Sequence, residues 1–172
     1  MQEVSRGRST STIVGGRTKP VNVKKLDPNY VVGFIDGEGS FSISVCKHAT
    51  LKRRLEIRPE FEMELREDDA EIIYRIQKTL GCGSIYRLDY KRYDWQPHIK
   101  LRVGRIQELS EILIPFLEKY PLQAKKRLVF KYFKQIVYLF RDKKHLTDKG
   151  YQKTLALREK IRAFSKKHYR NR

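Results

Sequence analysis

The sequence predicts an α+β fold of order αββαββααα, a four-stranded antiparallel sheet with helices on one of its faces. Three observations predict it. Two consecutive runs alternate apolar with polar residues, first Phe41, Ile43 and Val45, then Leu55, Ile57, Phe61, Met63 and Leu65. That is the two-residue period of strands with one buried face. A second pair of extended segments, 84–90 and 95–103, is joined by a turn near 91–94. Apolar residues at helical spacing fill the stretches before, between and after the two pairs. The unit occurs once in 172 residues, a length that suits one domain.

Each element has a local cause. Asp27-Pro28 is a helix-start signal, an N-cap acid followed by proline at the first helical position. The helix over 28–36 carries Tyr30, Val31, Val32, Phe34 and Ile35 on nearly every side, so it is expected to be buried. Gly37 and Gly39 end it. The strand over 40–46 sets Ser40, Ser42, Ser44 and Cys46 opposite its apolar residues. A basic loop, 47–54, leads to the second strand, where Pro59 points to an edge position or a bulge. Asp68 or Asp69 starts the next helix, whose Ile72, Ile73, Ile76 and Leu80 are helically spaced, and Gly81-Cys82-Gly83 stops it. In the second hairpin Ile99, Leu101 and Val103 are expected to face the core, and His98, Lys100 and Arg102 to face out. A third helix takes Ile106, Leu109, Ile112, Leu113, Phe116 and Leu117 and breaks at Pro121. Helices over 123–140 and 148–164 follow, with Tyr132, Phe133, Tyr138 and Phe140 expected in the core. The chain divides into a basic flexible segment, 1–25, a core, 26–141, and a basic helical extension, 142–172.

Charge narrows the function. Lys and Arg number 38 against 20 Asp and Glu, a net charge of +18. Residues 1–25 carry six Lys/Arg and one Glu, and residues 141–172 carry twelve and three acids. The ends therefore hold most of the excess. An acidic solvating protein is excluded, and 40% apolar residues in periodic segments argue against a wholly disordered chain. Basic ends point to phosphate contact, to attraction by a membrane surface, or to a free polyanion-binding tail. No apolar run approaches the roughly 18–20 residues of a membrane span, so no membrane partner is expected. The first residues lack the apolar stretch of a secretory signal and loosely resemble an organelle transit peptide or an ordinary lead-in. Cys46 and Cys82 are isolated, which fits a reducing intracellular compartment. Mitochondrion, plastid and bacterial cytoplasm all remain open. His48, His98, His145 and His168 show no metal-ligand spacing.

The stretch Val31-Val32-Gly33-Phe34-Ile35-Asp36-Gly37-Glu38-Gly39-Ser40 is the most informative. Gly33 and Gly37 lie four apart on one helix face, where a second backbone can approach closely. Glu38 sits just past the end of the helix. If two such helices pack, their two Glu38 carboxylates approach and must share protons or bind cations. Mg²⁺ takes one or two carboxylates together with substrate phosphate oxygens, an arrangement suited to phosphodiester hydrolysis. The plainer alternative is a small-residue packing helix followed by an acid that caps a turn.

This string resembles the motif of the LAGLIDADG homing endonuclease family. Pro59-Glu60-Phe61, Arg66-Glu67-Asp68-Asp69, Leu80-Gly81-Cys82-Gly83-Ser84-Ile85-Tyr86, Tyr120-Pro121-Leu122 and Lys125-Lys126 extend the similarity over residues 27–140. The resemblance implies the αββαββα fold with its sheet shaped as a saddle over DNA. It implies that a single-motif chain forms a homodimer through the motif helix, with Val32, Gly33, Asp36 and Gly37 at the interface. It implies that Glu38 binds Mg²⁺, or Mn²⁺ or Ca²⁺ in its place, with the Gly37 carbonyl as an additional ligand and Asp36 as a structural hydrogen-bonding residue. A family lysine before the last helix corresponds to Lys119 or Lys125, and Lys125 is preferred as the catalytic candidate. Two positions depart from the pattern. Leu65 stands where several members have a water-organising glutamine, and Asp69 where they have a basic residue. Water positioning would then fall to Glu64 or Arg66.

Groove-facing side chains would come from alternate strand positions. They are Ser40, Ser42, Ser44, Cys46 and His48, then Arg54, Glu56, Arg58, Glu60 and Glu62, then Tyr86 and Arg87, and finally Gln96, His98, Lys100 and Arg102. Arg and Lys can donate to guanine and Glu can accept from cytosine. Glutamates must point at base edges or pair with arginines, because phosphates repel them. Arg141, Lys143, Lys144 and Lys149 would supply phosphate contacts. A solvated sheet face is the plainer reading, and a one-residue register slip would turn the whole face over. The implied function is a site-specific, metal-dependent, intron-encoded endonuclease that makes a double-strand break in a long pseudo-palindromic site. An RNA-splicing maturase acting on its own intron RNA, or a cleavage-inactive DNA binder, is the alternative on the same fold. A basic ribosome-associated RNA binder is a third.

Overall fold

The computed structural model describes residues 16–18, 21–51, 53–90 and 96–169, with side chains to residue 164. The expected turn near 91–94 and Trp95 lie outside the described residues. Helix α1 (Pro28–Glu38) starts where Asp27 Oδ1 accepts from the N–H groups of Asn29 (2.8 Å) and Tyr30 (3.3 Å). Strands β1 (Ser40–Lys47) and β2 (Leu55–Arg66) follow, then a 3₁₀ turn (Glu67–Asp69) and α2 (Ala70–Leu80). Gly81, at φ +76°, ends α2 in the left-handed conformation that favours glycine. Strands β3 (Ser84–Leu88) and β4 (His98–Val103) complete the sheet. The third helix is α3 (Ile106–Glu108), a π turn (Leu109–Leu113) and α4 (Ile114–Lys119) in one run. Helix α5 (Lys126–Arg141), a 3₁₀ turn (Lys144–Leu146) and α6 (Asp148–Tyr169) finish the described chain.

The sheet order is β1-β2-β4-β3, antiparallel throughout. The crossover through α2 carries β3 to the far edge, and β4 returns beside β2. Pro59 therefore lies on an inner strand, without a break in its pairing to β1. It is tolerated because it pairs only with Ile43 of β1, and the ladder to β4 begins two residues later at Phe61. The carbonyl of Ile43 accepts from Arg158 Nε of α6 at 3.0 Å.

One sheet face is the core. Phe41, Ile43, Phe61, Met63, Ile85, Ile99, Leu101 and Val103 are buried against Ile35, Ile73, Leu109, Phe133 and Ile136. The Phe41 ring lies 5.1 Å from both Phe61 and Phe133. Burying each such ring contributes roughly 1.5–3 kcal/mol. The segment 142–172, set apart as an extension, adds Leu157 and Ile161 to this core. Residues 1–15, 19 and 20 lie outside the described residues. Within the segment expected to be flexible, Arg17 and Thr18 are held against β3.

Helix α1 departs from the expectation of burial all round. Val31, Val32 and Ile35 are buried, whereas Tyr30 is 53% exposed and Gly33 and Gly37 face open space. Hydrophobicity on every side here means one face in the core and another uncovered. Gly39 is different. A Cβ there would stand 2.7 Å from the Ile35 carbonyl oxygen and 3.0 Å from Phe61 Cε2. Gly39→Ala is expected to destabilise the fold by about 1–3 kcal/mol, read as a lower denaturant midpoint with an unchanged slope.

Candidate metal site and nucleic-acid interface

Two helix ends meet beside Glu38. Asp36 Oδ2 accepts from the N–H groups of Gln123 (2.7 Å) and Ala124 (3.1 Å), just before α5. Lys126, the first residue of α5, donates its ammonium to the carbonyls of Ile35 (2.9 Å) and Gly37 (3.2 Å). These carbonyls belong to the last turn of α1, whose end favours a cation, and that of Ile35 also accepts from the Gly39 N–H at 2.9 Å. Burial holds the Lys126 pKa below the ordinary lysine value, against the opposing pull of Asp36 and Glu38.

Glu38 is exposed and has no protein partner among the described residues. It lines an open depression with Tyr30, Gly33, Phe34, Leu65 and Asp69. A hard divalent cation needs only one or two carboxylates beside carbonyl and phosphate oxygens. Glu38 and the Gly37 carbonyl fit that need, and a carbonyl oxygen has a second lone pair beyond the one Lys126 uses. No three His, Cys, Asp or Glu side chains form a metal cage among the described residues. The donors suit a cation shared with a phosphate, unlike an enclosed structural site.

The sheet face opposite the core is a lattice of ion pairs. Register sets Ser40, Ser42, Ser44 and Cys46 opposite Glu62, Glu60, Arg58 and Glu56. It sets Glu62 opposite Arg102 and Glu64 opposite Lys100. Arg102 pairs with Glu60, Lys100 with Glu64 (2.9 Å) and Glu62 (3.6 Å), and Arg58 with Glu56 (2.6 Å). Glu64 also accepts from Tyr90 Oη at 2.8 Å and lies 2.9 Å from His98 Nδ1.

The family model for LAGLIDADG endonucleases matches residues 31–137. The chain belongs to the LAGLIDADG endonuclease family. A probable intron-encoded endonuclease 2 of Neurospora crassa is 31% identical over 137 residues, 79% of this chain and 29% of that protein. The chain thus spans less than a third of that relative's length. The crystal structure of the homing endonuclease I-TnaI superposes with a TM-score of 0.71 at 32% identity, covering 80% of this chain and 88% of that one. I-SmaMI bound to uncleaved DNA target in the presence of calcium ions gives a TM-score of 0.73 at 30% identity, covering 80% and 45%.

Helix α1 is the LAGLIDADG helix, and its geometry sorts the sequence-predicted residues. Of the four expected at an interface, Gly33 and Gly37 lie on the open face. Val32 is buried in the chain's own core and Asp36 is engaged with α5, because helical periodicity turns both inward. Tyr30 and Phe34 flank the glycines instead, and sequence reasoning missed them. The lysine that reaches this helix is Lys126. Lys125 is exposed at the N-cap of α5, and Lys119 lies over the Tyr120 ring. Leu65 and Asp69 do line the depression with Glu38, but Glu64 is committed to the sheet face and Arg66 to Asp68.

Among the DNA-contact candidates, Ser40, Ser42, Ser44, Cys46, Glu56, Arg58, Glu60, Glu62, Tyr86, His98, Lys100 and Arg102 share the polar face. Arg87 does not. It stands opposite Ile99 in register, on the core side, and pairs with Glu67. Adjacent residues of a strand cannot share a face, so Tyr86 and Arg87 could not both point at a groove. His48 and Arg54 close the β1–β2 loop through a 2.9 Å backbone bond, and Gln96 is exposed before β4. Arg141 and Lys144 both pair with Asp142, and Lys143 is exposed beside them.

Burial by itself would raise the Glu64 pKa, but Lys100, Tyr90 and His98 outweigh it and hold the group below the ordinary carboxylate value. A depressed carboxylate stabilises the fold above its unfolded pKa of about 4.3. That stability is lost as pH falls through the lower folded value. Glu64→Gln should flatten the decline of denaturation midpoint below pH 5. A decline as steep as in wild type would assign the acid sensitivity to other groups.

Proposed function

We propose that this chain is a site-specific DNA endonuclease of the homing type, working as a homodimer on a long pseudo-palindromic duplex. One observation carries this reading. The unpartnered Glu38 carboxylate ends a helix whose small-residue face is uncovered, at the margin of a broad polar sheet. Two copies joined through Tyr30, Gly33, Phe34 and Gly37 would bring both Glu38 groups together between two such sheets. The similarity to I-SmaMI, whose structure holds a DNA target with calcium ions, supports the same reading, as does the intron-encoded relative.

Glu38 and the Gly37 carbonyl would hold Mg²⁺, which supplies positive charge for phosphodiester hydrolysis when bound. Lys126 fixes the Gly37 carbonyl and keeps a second cation beside the carboxylate. The sheet face carries the reading of bases. The central pairs are largely sheltered, with Glu60 and Lys100 side chains only 12% and 14% exposed, so losing one partner leaves a poorly solvated charge. A guanine edge or phosphate must therefore take a glutamate's place rather than merely displace it. Leu65 beside Glu38 favours a second reading, a binding module or maturase on the same fold, since an aliphatic side chain organises no water.

A cleavage screen on pooled long duplexes separates the two. Wild type with Mg²⁺ is expected to give discrete double-strand cuts, absent with EDTA. Glu38→Gln is expected to bind the recovered site and leave it uncut. Retention of DNA or intron RNA without any cut would favour the binding module. Lys126→Met should lower cleavage by about 10–100-fold and raise the Mg²⁺ concentration needed. If Lys125→Met does the same and Lys126→Met does not, the role passes to Lys125. Gly33→Phe should leave the monomer folded and abolish the dimer in sedimentation, because the open face accepts no bulk once covered by a second helix.

A further inference from the structure

We propose that Arg17 is a phosphate-binding residue that widens the DNA-facing sheet beyond β3, a step that rests on the duplex-binding reading above. The segment before α1 reaches the outer edge of β3. Arg17 forms an antiparallel bridge with Tyr86, and the Thr18 N–H donates to the Ile85 carbonyl at 3.0 Å. Thr18 Oγ1 donates to the same carbonyl at 3.4 Å. An edge strand presents unpaired backbone groups, and a neighbouring segment satisfies them.

Register decides where the side chain goes. Tyr86 stands opposite Lys100, which pairs with glutamates on the polar face. Residues directly opposite one another in a ladder share a face. Arg17 accordingly lines one hollow with Ser84, Tyr86, Glu60 and Arg102.

Charge separates Arg17 from its neighbours. Arg58, Lys100 and Arg102 are each held by glutamates of β2. Arg17 is exposed and forms no ion pair among the described residues. Its charge is not cancelled by any described residue. It also sits at the margin of the sheet, beyond β3, where a duplex lying across the face presents backbone. A guanidinium fork matches phosphate geometry. The residue precedes the span matched by the family model, 31–137.

The test uses the full chain and a duplex selected from a randomised pool by retention on the protein. Affinity is measured across a salt series for this duplex and its single-base variants. Arg17→Ala should weaken binding about tenfold, by the same factor for every base variant. The slope of log affinity against log salt should become shallower by about one. Arg17→Lys should keep most of the affinity, since a point charge still binds phosphate. Lys78→Ala, on the exposed side of α2 away from the sheet face, should match wild type. A loss confined to one base pair, with lysine as poor as alanine, would make Arg17 a base-reading residue and overturn the phosphate assignment. Unchanged affinity and slope in Arg17→Ala would remove Arg17 from the interface. A wild-type protein that retains no duplex would overturn the underlying reading itself.

Discussion

The last turn of α1 and the approach to α5 are tied to one another through two charged side chains. Asp36 accepts two backbone N–H groups at the approach to α5, and Lys126 returns a cation to two carbonyls at the end of α1. The N–H groups of Gln123 and Ala124 and the carbonyl of Gly37 find their partners in this exchange. The exchange spans almost ninety residues of chain and locks the geometry around Glu38. The backbone is held on both sides of this carboxylate. Asp36 and Lys126 fix the helix before it. Gly39 lets β1 begin in direct contact with Ile35 and Phe61 after it. The burial that depresses the Lys126 pKa is the cost of placing a cation in that joint.

The sheet serves two opposed purposes through its pleat. Its inner face joins α1, α2 and α5 in one core centred on Phe41, Phe61, Leu101 and Phe133. Its outer face carries almost equal numbers of opposite charges, paired across β2 and β4. Such pairing neutralises the glutamates of this face within the protein. The net charge of +18 is carried chiefly at the ends of the chain, while the sheet face is nearly self-neutral.

The segment after α5 stiffens the outer hairpin. Arg53 of the β1–β2 loop donates to the Leu146 carbonyl at 3.1 Å, pairs with Asp148 and lies over the Tyr151 ring. Arg158 holds β1 at Ile43. A two-stranded ribbon alone is marginal in water, and β1–β2 extends beyond the end of β4. The helix α6 compensates for that exposed length.

Much was legible in the sequence because it is local. Alternation marked β1 and β2, Asp27-Pro28 marked the start of α1, Gly81 marked the end of α2, and the pattern around Glu38 marked the motif. Strand periodicity also assigned most of the polar face. What escaped depends on contacts between distant residues. Lys125 and Lys126 are adjacent and chemically alike, and only the point at which Asp36 starts α5 decides which one reaches α1. The uncovered face of α1, the placement of Arg87 off the polar sheet face and the inner position of Pro59 follow from helix docking and strand order. The bridge that carries Arg17 to β3 joins segments almost seventy residues apart. Sequence by itself determined which side chains are available and which period each segment follows, since both are set within a few residues. Tertiary structure alone decided which of two neighbouring lysines reaches the end of α1 and which faces stay open, because those are matters of packing.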